Sequence, residues 1–262
     1  MMLDIQGLLI DIDGVLHVAM RPIPGAAAAL RTLRAHGVPF RLLTNTTVFS
    51  RASLAAALED GGFHVAPEEL LTAARASAAY ISRRWPGARC FLIAKGDVEV
   101  EFRAAGLHLV PDEAPGPVDV VVIGGAEERL TYERLNRAYR LLLDGAKLVA
   151  MHRNRSWRTA AGMTLDSGPF VGALEEASGV RAIVVGKPAA AFFRQGLAAL
   201  ALPAHAVAMI GDDAHTDLVP ARRLGMRTIL VRTGKPAGPA EEAQADLVLA
   251  SIAALPAALG LN

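Results

Sequence analysis

The chain has 262 residues, of which 52% are hydrophobic and 20% are charged. This composition is that of a globular protein and excludes a disordered chain, and the length accommodates one large domain or two modest ones. The formal net charge of +1 provides no global basic field, so we expect no nucleic-acid partner.

The single cysteine, Cys90, excludes an internal disulfide and a cysteine-rich zinc site. It lies in the apolar run 90–93 and is expected to be a buried side chain. The N-terminal residues lack the basic and apolar regions of a secretion signal. The apolar tract 247–261 is interrupted by Ser251, Pro256 and Gly260, and a membrane span needs about 20 apolar residues. We therefore expect a cytoplasmic protein with no membrane partner.

The first predicted element is a strand at Leu8-Leu9-Ile10, where three aliphatic residues in a row indicate burial on both faces. Asp11, Asp13 and Gly14 follow it directly. An unpaired carboxylate at the end of a buried strand is costly, so something cationic is expected there. In open α/β sheets, ligands bind at the carboxyl ends of the strands.

Strands and helices alternate through the rest of the chain, which predicts βαβ units with mainly parallel sheets. The predicted strands are 40–43, 91–94, 107–110, 118–123, 147–151, 182–185, 207–210, 228–231 and 247–249. The predicted helices are 26–35, one capped by Ser50, one from Pro67 to Trp85, 98–105, one capped by Thr131 and ending at 143, 169–177, 190–200, one ending at 224, and a closing helix.

Polar residues accumulate at four of the predicted strand ends. They are Asp11 and Asp13 at the first, Thr44 and Asn45 at the second, Lys187 after Gly186 at the third, and Asp212, Asp213 and Asp217 at the fourth. Because such ends share the ligand crevice of a doubly wound sheet, we expect these residues to converge.

The chemistry that suits this set is phosphoryl transfer through an aspartyl-phosphate. Asp11, Asp13 and Asp212 are the predicted Mg²⁺ ligands. Asp11 would also attack the phosphate, and Asp13 would protonate the leaving group and then activate water. Thr44 and the backbone at Asn45 would hold phosphoryl oxygens, and Lys187 would neutralise their charge. Asp217 would orient the metal waters or Lys187.

Each of these residues also has a simpler interpretation. Lys187 precedes a proline and could be a solvated turn residue, and Thr44 could be a strand-end or cap residue. Asp212 and Asp213 could begin a helix. An EF-hand is excluded, because Asp11-Ile12-Asp13-Gly14 lacks the later ligands and the glutamate of that loop. The four ends together, in this order, favour the catalytic interpretation.

The four strand ends resemble, in order, the four motifs of the haloacid dehalogenase-like (HAD) superfamily: Asp11-Ile12-Asp13-Gly14-Val15-Leu16, Thr44-Asn45-Thr46-Thr47, Gly186-Lys187-Pro188, and Gly211-Asp212-Asp213 with Asp217. Further stretches, among them Gly168-Pro169-Phe170 and Val231-Arg232-Thr233-Gly234-Lys235, are similar to the branch that contains phospholysine phosphohistidine inorganic pyrophosphate phosphatase. Ser156-Trp157 departs from that branch, which tends to carry two aromatic residues there. Leu218-Val219-Pro220 departs from its usual small-residue helix start.

This resemblance implies an α/β fold with a Rossmann-like HAD core, a parallel sheet and an inserted C2-type α/β cap domain of subclass IIA. The core would comprise residues 1–75 and 183–262, and the cap would comprise 76–182. The resemblance also implies a Mg²⁺-dependent phosphatase that acts on a small phosphorylated substrate, with pyrophosphate and phosphoamino acids among the candidates. It further implies a homodimer formed through the cap.

The cap segment 152–158 is the candidate for substrate selection. Arg153, Asn154, Arg155 and Trp157 could clamp an anionic or planar group. The alternative is a solvated loop in which Trp157 packs on the cap. His152 and His215 are interpreted as structural, because Asp13 already fills the acid/base role.

Three other functions remain open from the sequence. A 2-haloacid dehalogenase would use a strand-end nucleophile such as Asp11 but would not need Asp13 or a metal pair. A phospho-accepting signalling module would combine similar residues, but such modules are far shorter and lack the acid two residues after the nucleophile. The intact set of Asp11, Asp13, Lys187 and Asp212 argues against a silent binding protein.

Overall fold

The computed structural model describes residues 5–159 and 162–261, without the side chains of 157–159. In these ranges the strands are β1 (Gly7–Asp11), β2 (His17–Val18), β3 (Arg21–Pro22), β4 (Phe40–Thr44), β5 (Leu70–Thr72), β6 (Arg89–Ile93), β7 (His108–Leu109), β8 (Val120–Ile123), β9 (Lys147–Ala150), β10 (Ser156–Thr159), β11 (Gly162–Leu165), β12 (Ile183–Val184), β13 (Val207–Gly211), β14 (Arg227–Val231) and β15 (Leu247–Leu249).

The α-helices of the same ranges alternate with these strands. They are α1 (Ala26–Ala35), α2 (Arg51–Asp60), α3 (Ala73–Arg84), α4 (Glu99–Ala104), α5 (Tyr132–Leu143), α6 (Gly168–Ser178), α7 (Ala190–Leu200), α8 (Val219–Arg223), α9 (Pro239–Glu242) and α10 (Leu255–Ala258). A π-helical turn, Ala214–Leu218, precedes α8.

The chain divides into two compact units. The first comprises the described residues of Met1–Thr44, Leu54–Leu71 and Lys187–Asn262, and the second comprises Asn45–Ser53 and Thr72–Gly186. Each unit contains one large sheet. The predicted α/β class with parallel sheets is therefore confirmed.

The sheet of the first unit has the strand order β15-β14-β13-β1-β4-β5. β1 pairs in parallel with β13 on one side and with β4 on the other. α1 contributes Leu30 and Leu33 to a core on one face, and α7 lies against the other, where Gly196 approaches Leu9. Because helices cover both faces, the central strands are continuously apolar, and their carboxyl ends bring Asp11 and Gly211 side by side.

The sheet of the second unit has the order β12-β9-β8-β6-β7, and its four neighbouring strand pairs are parallel. α5 and α6 pack on each other and on one face of this sheet, with Ala138, Leu142, Val171 and Leu174 in the core. Thr131 caps α5 as predicted, since its side chain accepts a hydrogen bond from the N–H of Arg134.

The predicted helix from Pro67 to Trp85 is wrong over its first part. Pro67–Glu69 form a single 3-10 turn, and Leu70–Thr72 form the edge strand β5. The α-helix begins only at Ala73, because the Thr72 side chain caps it by accepting from the N–H of Arg75. The pairing of Leu70–Thr72 with β4 at the edge of the sheet thus overrides the local signal of Pro67 and the two acids that follow it, which is typical of a helix start.

The candidate substrate segment 152–158 is not only a loop. Ser156–Thr159 form β10, which pairs antiparallel with β11, Ser156 opposite Leu165. β10 and β11 have only four residues each, and the apolar side chains of β11, Met163 and Leu165, are exposed, so this hairpin gives no clear signal in the sequence.

The two units do not follow the predicted core and cap boundaries residue by residue. Asn45–Ser53 belongs with the second unit, because Ser50 and Ser53 bond to Asp97 and Arg51 bonds to Glu101. The division into a catalytic core and a cap stays a prediction. Among the described residues, no helix combines the length and apolar character that crossing a membrane requires.

Candidate active site

The centre of the candidate site is Asp11, the last residue of β1. Lys187 Nζ lies 2.6 Å from Asp11 Oδ1 and 2.8 Å from Asp217 Oδ1. The N–H of Ile12 also donates to Asp11 Oδ1, at 2.8 Å. Asp217 is 0% exposed and Lys187 is 4% exposed. This lysine therefore joins two buried carboxylates that come from different strand ends, as the sequence predicted for the third and fourth motifs.

Asp212 adds a third buried carboxylate. One oxygen from each of Asp11, Asp212 and Asp217 lies within 4.8 Å of the other two. Asp217 Oδ2 is buried and accepts no hydrogen bond from the described residues. Three carboxylates with one lysine leave excess negative charge, and carboxylate oxygens are donors that Mg²⁺ prefers. The cluster therefore fits a divalent cation.

The ionisation of this cluster reflects the crowding of its acids. Burial raises the pKa of Asp11 well above its usual range against the opposing charge of Lys187, and the neighbouring aspartates act in the same direction as burial. Burial also raises the pKa of Asp212 to about 6, with a further contribution from Asp217. Burial alone would lower the pKa of Lys187, but Asp11 and Asp217 outweigh it and raise that pKa. A bound cation would relieve the repulsion between these carboxylates.

Asp13 lies apart from the three-carboxylate cluster. Its side chain is 68% exposed, and Thr44 Oγ1 donates to its Oδ2 at 3.2 Å. Thr44 is itself buried. Asp13 thus has the exposure that an acid/base group needs to meet substrate and water, and its predicted role as a metal ligand stays a prediction.

The sequence interpretation missed His17, which follows the first motif. Its ring is buried, and neither nitrogen has a hydrogen-bond partner among the described residues. The Nδ1 atom lies 3.7 Å from Asp13 Oδ1. A histidine four residues after an acid is a weak signal in a sequence, because only the tight turn through Gly14, with φ +85°, brings the two together.

A fifth strand end, the loop Thr233–Lys235 after β14, also reaches the cluster. The N–H of Lys235 donates to Asp212 Oδ2 at 2.8 Å, and Thr233 Oγ1 donates to the carbonyl of Gly14 at 2.6 Å. Lys235 Nζ lies 2.5 Å from Asp213 Oδ2. The sequence contains a signal for this loop, an aliphatic strand followed closely by Thr-Gly-Lys, but that pattern alone does not indicate a role beside Asp212.

The predicted specificity residues lie in the second unit. Arg153 pairs with the buried Glu175, and Asn154 donates its N–H to His152 Nδ1 at 3.3 Å. Arg155 is exposed, and the side chain of Trp157 lies outside the described residues. Because Glu175 already neutralises Arg153, an anionic substrate would have to compete for that guanidinium. The specificity roles of all four stay predictions.

The two histidines interpreted as structural occupy different environments. His152 is buried, and burial lowers its pKa against the opposing charge of Asp166, which lies 3.7 Å from its Nε2. His215 is exposed, and its N–H donates to Asp213. Asn45 follows Thr44 directly in the chain and belongs to the second unit. Its predicted phosphate contact stays a prediction.

Two family models match the regions that carry these motifs. One, described as haloacid dehalogenase-like hydrolase, matches residues 8–108, and one described as HAD-hydrolase-like matches residues 184–255. Over 231 residues the chain is 38% identical to haloacid dehalogenase-like hydrolase domain-containing protein 2 of Rattus norvegicus, covering 88% of this chain and 85% of that protein. The chain belongs to the haloacid dehalogenase-like hydrolase family.

Other HAD proteins are similar at the level of sequence and of structure. The chain is 34% identical over 237 residues to phospholysine phosphohistidine inorganic pyrophosphate phosphatase of Homo sapiens, covering 88% of this chain and 84% of that protein. A structure of p-nitrophenyl phosphatase from Archaeoglobus fulgidus has a TM-score of 0.90 at 29% identity, covering 98% and 100% of the two chains. NagD from E. coli K-12 has a TM-score of 0.84 at 26% identity, covering 97% and 98%. These similarities confirm the predicted family, the predicted α/β fold class and the predicted HAD-type hydrolase activity.

Proposed function

We propose that this HAD hydrolase is a Mg²⁺-dependent phosphatase that acts on a small phosphorylated substrate through an aspartyl-phosphate on Asp11. The observation that carries the proposal is the buried lysine that joins Asp11 to Asp217 within a group of three converging carboxylates. The similarity to proteins named as phosphatases supports the same conclusion.

Asp11 is the nucleophile in this mechanism. Its carboxylate oxygen attacks phosphorus, a new P–O bond forms, and the bond from phosphorus to the leaving-group oxygen breaks. Lys187 and the N–H of Ile12 hold the carboxylate in one orientation during the attack. Mg²⁺ bound among the carboxylates would screen the repulsion between the attacking carboxylate and the phosphate.

Asp13 moves the protons. In the first step it gives a proton to the leaving-group oxygen, and in the second it accepts one from the water that attacks the aspartyl-phosphate. Phosphate is released and the Asp11 carboxylate is regenerated. The hydrogen bond from Thr44 limits the rotation of Asp13, so the same carboxylate faces the reacting oxygen in both steps.

The phosphoryl oxygens are held by the residues predicted for that purpose, Thr44, the backbone at Asn45, and Lys187. The raised pKa of Lys187 keeps it cationic at neutral pH, so it compensates the negative charge that develops on these oxygens. Asp217 anchors Lys187 from the opposite side.

The decisive experiment is phosphate release from p-nitrophenyl phosphate by purified protein, with Mg²⁺ and with EDTA. We expect turnover with Mg²⁺ and none with EDTA. Asp11→Asn should lower kcat by at least about 1,000-fold, because the covalent nucleophile is lost. Asp60→Asn is a matched control, since Asp60 is exposed on α2, and it should retain full activity.

Three outcomes would contradict the proposal. Full turnover by Asp11→Asn would remove the nucleophile assignment. A stable phosphoprotein without turnover would favour the phospho-accepting module. Metal-independent halide release from a 2-haloacid, without phosphate release from aryl phosphate, would favour a dehalogenase.

For the substrate we propose only a class, a small phosphorylated compound, and a panel of candidates tests which member is hydrolysed. Inorganic pyrophosphate, phospholysine and phosphohistidine enter the substrate panel because a relative carries them in its name. Phosphosugars, pyridoxal phosphate and nucleotides complete the panel. Variants of Arg153, Asn154, Arg155 and Trp157 should change KM between substrates if these residues select them. The cytoplasmic location and the homodimer through the cap stay predictions.

A further inference from the structure

A carboxylate that binds Mg²⁺ must present its oxygens in a fixed direction, because this ion demands near-ideal octahedral geometry. Asp212 has a short side chain at the end of β13, and its direction depends on what surrounds it. The surroundings come from two loops of the first unit, the turn at Gly14 and the loop Thr233–Lys235.

The first constraint is a hydrogen bond. The N–H of Lys235 donates to Asp212 Oδ2 at 2.8 Å. A backbone donor cannot rotate away as a side chain can, so this bond holds Oδ2 and limits the rotation of the whole carboxylate. The side chain of Lys235 strengthens the position of the loop through its ion pair with Asp213, the next residue along.

The second constraint is steric. A Cβ atom on either Gly14 or Gly234 would overlap Asp212 Oδ2, and a Cβ on Gly234 would also lie only 2.7 Å from the Cα of Gly14. The two glycines therefore form walls on either side of one carboxylate oxygen. Any side chain larger than hydrogen at these positions would displace it.

The third constraint fixes the two walls to each other. Thr233 Oγ1 donates to the carbonyl of Gly14 at 2.6 Å, which joins the β14 loop to the turn that follows Asp13. Without this bond, the spacing between Gly14 and Gly234 would depend on the backbones alone.

We propose that the loop Thr233–Gly234–Lys235 is the positioning element for Asp212, and that the hydroxyl of Thr233 sets the spacing that Mg²⁺ binding requires. Thr233 is a positioning residue, since it acts through Gly14 and Gly234 and does not touch the reacting atoms. The inference rests on the proposed function in assigning Asp212 to a metal.

The experiment measures Mg²⁺ affinity by calorimetry on metal-free protein. Thr233→Val keeps the shape of the side chain and removes the donor, whereas Thr233→Ser keeps the donor. We expect the Kd for Mg²⁺ to rise about tenfold in Thr233→Val, the size seen when a residue that orients a metal ligand is lost. In Thr233→Ser it should stay within about twofold of the parent, because the hydroxyl is retained.

Thr228→Val is the matched control. Thr228 lies on β14, the strand that leads to Thr233. Its buried hydroxyl donates to the carbonyl of Gln244 and to Asp246 Oδ2, neither of which belongs to the three-carboxylate cluster. This variant should lower the denaturation midpoint of the metal-free protein without changing the Kd for Mg²⁺. A loss of affinity in Thr233→Val then cannot be ascribed to general destabilisation. Gly234→Ala provides a second variant, and it should weaken Mg²⁺ binding more than Thr233→Val.

The outcomes separate this inference from the proposed function. Equal Kd values for the parent and Thr233→Val, with Mg²⁺-dependent turnover intact, would overturn the positioning role alone. A parent protein that binds no Mg²⁺ would overturn the metal site of the proposed function. A tenfold rise in the Kd for Mg²⁺ in Thr233→Val, together with a Kd in Thr233→Ser close to that of the parent, supports the inference.

Discussion

Burial and the charge of Asp217 raise the pKa of Asp212 to about 6 in the absence of a cation. The proton and Mg²⁺ therefore compete for this carboxylate over a pH range that is easy to reach experimentally. Above pH 6 the group is ionised and ready to bind a metal. Below pH 6 the proton must first be displaced.

We expect the affinity for Mg²⁺ to fall about tenfold between pH 7 and pH 5, because the ionised fraction of a group with a pKa near 6 falls by about that factor. Calorimetric titrations at pH 5, 6, 7 and 8, at constant ionic strength, measure it. Asp212→Asn should bind Mg²⁺ weakly at every pH. Equal affinities of the parent at pH 5 and pH 7 would contradict the prediction.

At the scale of single residues, the sequence predicted the carboxylates better than their surroundings. Asp11, Lys187 and Asp212 are recognisable as charged groups at the ends of aliphatic runs, and Asp217 lies five residues after Asp212. The structure brings the four together. His17 was not recognisable, because its relation to Asp13 depends on the conformation of the turn between them.

At the scale of elements, Asp97 joins the starts of two helices. It lies just before α4, and its carboxylate accepts from the N–H and Oγ of Ser50 and from Oγ of Ser53, each at 2.6 Å. Ser50 immediately precedes α2, so one acid satisfies donors at the first turn of that helix. Partial burial opposes ionisation of Asp97, but these hydrogen bonds outweigh it and lower its pKa.

We expect Asp97→Asn to lower the free energy of unfolding by about 1–2 kcal/mol at pH 7, because bonds to a charged acceptor are weakened. The pKa of Asp97 is lower in the folded than in the unfolded state, so its contribution is complete above about pH 4 and declines as the pH falls further. Urea denaturation at pH 7, 5 and 3.5 measures the difference between parent and variant.

That difference should be the same at pH 7 and pH 5 and smaller at pH 3.5. Asp144→Asn, which changes an exposed aspartate of the same unit, should have little effect on the free energy of unfolding at any of these values. A difference for Asp97→Asn that grows on acidification would show that the acid is not stabilised in its charged form.

The elements also show why local patterns are not sufficient. Residues 67–72 have a proline and two acids, as helix starts do, yet Leu70–Thr72 form a strand because the edge of the sheet is available to them. The signal that would have corrected the prediction is Thr72, a good N-cap that lies five residues after the proline and immediately before the observed helix.

At the scale of the whole molecule, the reactivity of the single cysteine, Cys90, reports whether the core of the second unit unfolds. Cys90 is fully buried in β6, and burial raises the pKa of its thiol to about 12. Reaction with a disulfide reagent needs both exposure and the thiolate, so the native protein should react slowly.

We expect the native protein at pH 8 to react with Ellman's reagent at least about 1,000-fold more slowly than the protein unfolded in guanidinium chloride, since only a small fraction of the thiol is ionised and exposed. Absorbance at 412 nm follows the reaction. Cys90→Ala should give no signal. A native rate close to the unfolded rate would contradict the burial of β6.

The overall class could be predicted because alternating strands and helices leave few arrangements other than parallel sheets covered by helices. The order of strands in a sheet could not, because it is decided by pairings between distant residues such as Gly7 and Val207. The placement of Asn45–Ser53 with the second unit likewise depends on Asp97 and Glu101, which lie more than forty residues further along the chain.

The position of β1 between β4 and β13 has a consequence for how the protein is made. During synthesis β1 emerges about 200 residues before its neighbour β13, Val207–Gly211, which leads to Asp212. All the strands of the large sheet in the second unit lie within residues 89–184, so they can pair while the ribosome is still translating the rest. Pairings between distant segments form slowly, and nascent chains fold unit by unit. We therefore expect the nascent chain to lack phosphatase activity until β13 and Asp217 have left the ribosome.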